Sequence, residues 1–263
     1  MKVFYFVLNV LQALFLIVWS FLWMNLATLT ALLTFSDRLP LSMARWGYSP
    51  AIVKFALARF KVEPLPDLDW SKPHIFVMNH QSMLDIPAAF AAIPANLRFV
   101  AKKVLQYVPV LGWYMMATGM IFVDRSNRAQ AVGSLKRAAE KIRNGKSIIA
   151  YPEGTRSRDG RILPFKKGVF VLALEAGVPI VPVAIEGSGK VLPSDGFRLR
   201  PGDVRLKVGR PIPTAGRTPE QRDELMREVR HALIGLHLEI GGPGGDLDDA
   251  IAPAGIEGIR RAG

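Results

Sequence analysis

The chain has 263 residues, half of them apolar and 21% charged, with a formal net charge of +12 at pH 7. Collagen, coiled coil and wholesale disorder are excluded by that composition, and the length allows one large domain or a medium one with an appendage. Zero cysteines exclude a disulfide scaffold, a thiolate nucleophile and any Cys-ligated metal, and fit a reducing compartment. The positive balance points to a negatively charged partner. There is no long Lys/Arg block, so a nucleic-acid-binding arm is a poor fit.

From Val3 to Ser36 there is no charged residue. A helix needs about 20 apolar residues to cross a bilayer core, and this run is longer, so it must tilt, bend or project. It is too long and too bulky near its end for a cleaved signal peptide. A second segment, Ser42 to Phe60, mixes Ile52, Phe55 and Leu57 with Lys54 and Arg59, and Pro50 marks a fresh helix start. It reads as an amphipathic helix, lying on a membrane surface or packed on its own domain. The expected organisation is two membrane-associated helices in 1–60, a main domain in 61–240 and a loose Gly/Pro-rich tail in 241–263.

Five short apolar runs then read as strands: His74 to Met78, Met120 to Asp124, Ser147 to Tyr151, Pro179 to Ile185 and Val204 to Gly209. Helical patterns lie between and after them, at Ser82 to Ala92, Ala129 to Asn144, Val169 to Ala176 and Glu220 to Ile240. The alternation predicts an α/β fold, a mixed and mostly parallel sheet layered by helices.

Chemistry-bearing residues cluster at the strand ends. The first strand runs into NHQSMLD, Asn79 to Asp85. An imidazole can take up a proton near neutral pH, and a carboxylate on its other nitrogen fixes the tautomer. Five residues along one regular helix would set His80 and Asp85 about 140° apart. With His80 before the helix and Asp85 in its first turn, they can meet. Ser82 and Asp85 also read as a capping box, which would make Asp85 structural.

YPEGTRS, Tyr151 to Ser157, follows another strand, with Pro152 and Gly154 marking a sharp turn. Arg156 offers a planar fork suited to phosphate; Glu153 can bind a hydroxyl or pair with an arginine. Arg125, in GMIFVDR, can reach a phosphate or pair with Asp124, and Lys102 and Lys103 precede an apolar stretch. EGSGK, Glu186 to Lys190, looks like the end of a P-loop but has Ala184 and Val191 where that motif needs Gly and Ser/Thr. The histidines are His74, His80, His231 and His237; the last two are six apart, so no metal site is expected.

NHQSMLD, GMIFVDR, YPEGTRS and VPIVPVAIEGS (Val178 to Ser188), in this order, resemble the four blocks of the glycerolipid acyltransferase family, bacterial 1-acyl-glycerol-3-phosphate acyltransferase group. The resemblance spans about Pro73 to Arg210, and the third block has Tyr151 where Phe is commoner. It implies that His80 is the catalytic base and Asp85 its partner. Lys102, Arg125 and Arg156 would hold the acceptor's phosphate, with Glu153, Gly154 and Thr155 in the same binding site and Pro182 on the acyl-donor side. The implied partners are lysophosphatidic acid, acyl-CoA or acyl-carrier protein, and membrane lipid, with no cofactor and no nucleic acid. The implied location is the inner membrane, active domain on the cytoplasmic side. Rival expectations are another acceptor, such as a lysophospholipid or lyso-ornithine lipid; a non-catalytic module binding anionic lipid; and a lipid hydrolase.

Overall fold

The computed structural model describes residues 2–123, 128–196 and 198–246. Its centre is a seven-stranded sheet of β1 (Ala58–Val62), β2 (Ile75–Met78), β3 (Leu97–Lys102), β4 (Ile121–Val123), β5 (Ser147–Ala150), β6 (Ile180–Glu186) and β7 (Gly202–Val208). The strand order is β1-β7-β6-β2-β5-β3-β4. All pairings are parallel except that of β6 with β7. The central strands β2, β5 and β6 are buried at every position, as parallel strands covered on both faces must be. Their side chains alternate between two cores: Phe76, Met78, Ile149, Val181 and Val183 face one, and Ile75, Val77, Ile148, Ile180 and Ala184 the other. Pro182 lies in β6 just before the β7 ladder starts at Val183, so its missing N–H costs that ladder nothing.

The first core is covered by α2 (Arg38–Met43), a π-helical turn (Ala44–Tyr48), α3 (Ser49–Phe55), α4 (Asp85–Ala92) and α5 (Leu111–Ala117). The second is covered by α6 (Arg128–Arg143), α7 (Gly168–Ala176) and α9 (Arg222–Glu239). Gly177 (φ +67°) closes α7 in the left-handed conformation that glycine tolerates. A one-turn helix, α8 (Ser188–Val191), follows β6.

Helix α1 (Lys2–Thr34) is about 50 Å long at 1.5 Å per residue. Its 29-residue stretch Phe6–Thr34 is long and apolar enough to cross a membrane. One face docks on the domain along its length. Gln12, Ala27 and Ala31 are buried there. Asn9 Oδ1 accepts from the Leu199 N–H (2.6 Å), Gln12 Nε2 donates to the Phe55 carbonyl (3.0 Å), and Ser20 Oγ meets the Tyr48 hydroxyl (2.9 Å). The opposite face, with Leu14, Val18, Phe21, Leu22, Leu29 and Leu32, is exposed.

Three sequence expectations change. The end of the Ser42 to Phe60 segment is strand β1, not helix. Strand β3 stands where no element was expected, and helix α5 begins in the stretch after Lys102 and Lys103 that was expected only to be apolar. Gly241 to Asp246, expected to be loose, is tied down: the Ile162 N–H donates to the Gly244 carbonyl (2.8 Å) and Arg230 Nη2 to the Asp246 carbonyl (2.7 Å). The rest of that tail lies outside the described residues.

Candidate active site

The parallel strands all end on one edge of the sheet, where open α/β folds place their ligands. Val77 pairs with Ala150, Phe99 with Ile149 and Lys102 with Val123. The chain therefore leaves β2 toward His80, β5 toward Glu153 and β3 at Lys102 from the same end. Asn79 pins the exit of β2: its side chain donates to the Ile185 carbonyl (2.9 Å) and accepts from the Ile185 N–H (2.8 Å).

His80 Nδ1 lies 2.7 Å from Asp85 Oδ2. The same oxygen accepts from the Gln81 N–H (2.7 Å) and the Ser82 N–H (2.9 Å), and Asp85 is fully buried. With Oδ2 acting as the acceptor, Nδ1 carries the proton and Nε2 presents a lone pair. Nε2 has no partner among the described residues, and 14% of the side chain is exposed. Tyr151 stacks on the ring, with centroids 4.2 Å apart and planes 26° apart. Its hydroxyl is buried, and burial pushes the phenol well above its ordinary pKa. One flank of the imidazole is therefore dry and apolar.

Glu153 faces the protein rather than solvent. Oε1 accepts from the His80 N–H (3.0 Å) and Oε2 from the Leu163 N–H (3.2 Å). Burial raises the carboxyl to about 8, against the pull of those two N–H groups. The turn behind it needs Gly154, whose φ is +71° and whose missing Cβ would sit 3.0 Å from Lys166 Cε. The Ser157 N–H closes the site by donating to the His80 carbonyl (2.7 Å).

Hydrogen bonds thus join His80 to Asp85 and to Glu153, with Gly154 in the turn that carries Glu153. Thr155 is exposed and Arg156 half-exposed, and neither makes a hydrogen bond or ion pair among the described residues. Lys102 is exposed at the end of β3, two strand spacings or about 10 Å from the strand that carries His80. Arg125 lies outside the described residues.

Sequence reasoning missed the layer behind His80. Gln81 Nε2 donates to Glu186 Oε2 (3.1 Å) and to the Gly160 carbonyl (3.2 Å), and Glu186 Oε2 accepts from His237 Nε2 (3.0 Å). Burial pushes Glu186 up, but the bonds from His237, Lys190 and Gln81 outweigh it and hold the carboxyl at about 2. Gln81 and His237 are 156 residues apart, so no local spacing could reveal them. The glycines of EGSGK serve packing: a Cβ on Gly187 (φ +86°) would collide with the Asp203 carbonyl. A crevice of about 560 Å³ opens beside this layer, lined by Gln81, Ser157, Arg158, Asp159, Glu186 and Lys190.

These features define an α/β domain with a carboxylate-held histidine at the carboxyl ends of parallel strands. The chain belongs to the acyltransferase family, whose pattern matches residues 59–186. An uncharacterized acyltransferase of Schizosaccharomyces pombe is 39% identical over 75% of this chain and 71% of its own length. The 1-acyl-sn-glycerol-3-phosphate acyltransferase of Saccharomyces cerevisiae is 35% identical over 71% of this chain and 62% of its own. The crystal structure of the 1-acyl-sn-glycerophosphate acyltransferase from Thermotoga maritima superposes with a TM-score of 0.78 and 27% identity, covering 91% of this chain and 98% of that one.

Proposed function

We propose that the chain transfers a fatty acyl group from an acyl thioester to the free 2-hydroxyl of 1-acyl-glycerol-3-phosphate, giving phosphatidic acid. The observation that carries this reading is the 2.7 Å contact between His80 Nδ1 and a buried Asp85, which leaves Nε2 bare at the sheet edge. The named activities of the yeast and Thermotoga proteins support the choice of acceptor.

In the proposed reaction His80 Nε2 removes the hydroxyl proton as its oxygen attacks the thioester carbonyl. Asp85 stabilises the imidazolium that forms. The tetrahedral intermediate collapses, the C–S bond breaks, and the proton on Nε2 passes to the departing sulfur. Lys102, Arg125 and Arg156 hold the acceptor's phosphate, with Gly154 and Thr155 shaping that side and Glu153 fixing the backbone of His80. The exposed face of α1 seats the chain in the inner membrane, at the interface where the acceptor resides, with the domain on the cytoplasmic side.

The test is acyl transfer to lysophosphatidic acid from acyl-CoA and from acyl-carrier protein, wild type beside His80→Ala and Asp85→Asn. For His80→Ala, kcat is expected to fall by about 10² to 10⁴ with binding retained. Near-normal turnover by that variant would overturn the mechanism.

A further inference from the structure

The carboxylate that orients His80 is held by one oxygen alone. Asp85 Oδ1 is buried and has no partner among the described residues. Oδ2 takes the imidazole and both backbone donors, the Gln81 N–H (2.7 Å) and the Ser82 N–H (2.9 Å). If those two donors shift, the carboxylate can turn about its Cβ–Cγ bond and leave Nδ1. The placement of Gln81 and Ser82 therefore matters to the ring, although the side chains of both are hydrogen-bonded elsewhere.

Both are tied to the end of β6 and the short helix α8 that follows. Ser82 Oγ donates to the Leu192 carbonyl (2.7 Å), and Gln81 Nε2 to Glu186 Oε2 (3.1 Å). Gly189 makes room for this contact, since a Cβ there would sit 3.3 Å from Gln81 Cβ. Glu186 is held in turn from α9. His237 Nε2 meets the same Oε2 (3.0 Å) from a fully buried ring, and with the carboxylate as acceptor Nε2 carries the proton. The Gly242 backbone lies against that ring, where a Cβ would sit 2.2 Å from Nε2. Lys190 Nζ reaches Glu186 Oε1 (2.7 Å), but its side chain is 79% exposed, so that pair adds little.

We propose that Glu186 and His237 are positioning residues for the acyl transfer, acting through Gln81: they fix its amide so that its N–H stays on Asp85, which keeps the His80 proton on Nδ1 and the lone pair on Nε2. The assignment rests on the acyl-transfer reading above. A purely structural tie between α9 and the sheet does not call for these residue types. Burying a carboxylate with a histidine and an amide costs desolvation, and apolar side chains of similar volume often stabilise a fold as well or better. What the polar set adds is direction, because each hydrogen bond orients the next group in the series. The Glu186 carboxyl, held at about 2, stays ionised wherever a histidine base can work. The series ends on the oxygen that holds the His80 ring, where a misplacement of about 1 Å can cost about 10²-fold in rate.

Two readouts on the full-length chain test this. The first is steady-state transfer to lysophosphatidic acid. His237→Phe keeps a ring and removes the donor; kcat should fall about tenfold or more, while KM for both substrates stays within about twofold. His237→Gln returns an N–H donor and should restore most of that loss. Gln81→Met keeps the length and loses the amide, and should lower kcat similarly. The double variant should be no slower than the worse single one, since the two residues act in series. The second readout needs no turnover: nitrogen NMR of histidine-labelled protein, with the His80 signals identified by their absence in His80→Ala. Wild type should show Nδ1 protonated, and His237→Phe and Gln81→Met a mixture of the two tautomers. Wild-type turnover by His237→Phe, a loss that His237→Gln does not restore, or unchanged His80 signals in both variants would each overturn the assignment. If His237→Phe fails to fold, Gln81→Met decides. If the wild type transfers no acyl group from any donor, the acyl-transfer reading fails on its own, and the spectra still decide whether this series sets the His80 tautomer.

Discussion

One oxygen of Asp85 receives the His80 imidazole and two backbone N–H groups. The two readings of Asp85 in the sequence are therefore both present. The Ser82 N–H bond to Asp85 is half of a capping box, but Ser82 Oγ, which donates to the Leu192 carbonyl, accepts from the Leu84 N–H (3.1 Å), and the Asp85 N–H goes to the Ser82 carbonyl (3.2 Å). What holds the helix start also holds the ring. Two buried carboxyls nearby should leave opposite marks on stability. Glu186 is lowered from 4.5 to about 2, so its contribution is present above 4.5 and is lost as pH falls toward 2. Glu153 is raised from 4.5 to about 8, so its contribution is present below 4.5 and is lost as pH rises through 8. Denaturant unfolding across pH should show Glu186→Gln flattening the acid limb and Glu153→Gln flattening the decline between 4.5 and 8. His80, Asp85 and the YPEGTRS turn were legible because each is a local cluster at a strand end. Gln81, Glu186 and His237 were not, because their meeting depends on where α9 crosses the sheet.

At the scale of elements, the strongly apolar strands β2, β5 and β6 could be read directly, whereas β1 and β3 could not. Ala58, Phe60 and Val62 alternate with Arg59 and Lys61, a period-two signal hidden by the preceding helical pattern. In β3 a buried Arg98, paired with Asp37, interrupts the apolar run. The uncharged run of α1 conceals the difference between its two faces, because the docked one carries large apolar residues too, Phe15, Leu16, Trp19 and Trp23, beside Asn9, Gln12 and Ser20. That difference is testable. Leu14→Asp combined with Val18→Asp on the open face should weaken flotation with lipid vesicles and leave the circular dichroism of the domain intact. Ala27→Asp, on the docked face, should lower the unfolding temperature instead, since it buries an unpaired charge.

Over the whole molecule, one edge of the sheet gathers the strand exits while the charge is spread around it. With a net +12, attraction to anionic ligands should weaken as salt is raised. Increasing ionic strength is expected to raise KM for acyl-CoA and to release the chain from anionic vesicles more readily than from zwitterionic ones. Equal release from both would show that charge adds nothing to the grip of α1.

His237 also decides where this molecule can be cut. The family match stops at Glu186, yet that carboxylate and the Gln81 amide meet His237 on a helix 51 residues further on. Arg230, fully buried on the same helix, grips the Ile162, Leu163 and Asp246 carbonyls. A graft trimmed to the matched segment would leave that interior acid bare and free the loop after the YPEGTRS turn. The smallest portable unit of this scaffold therefore runs at least to Asp246.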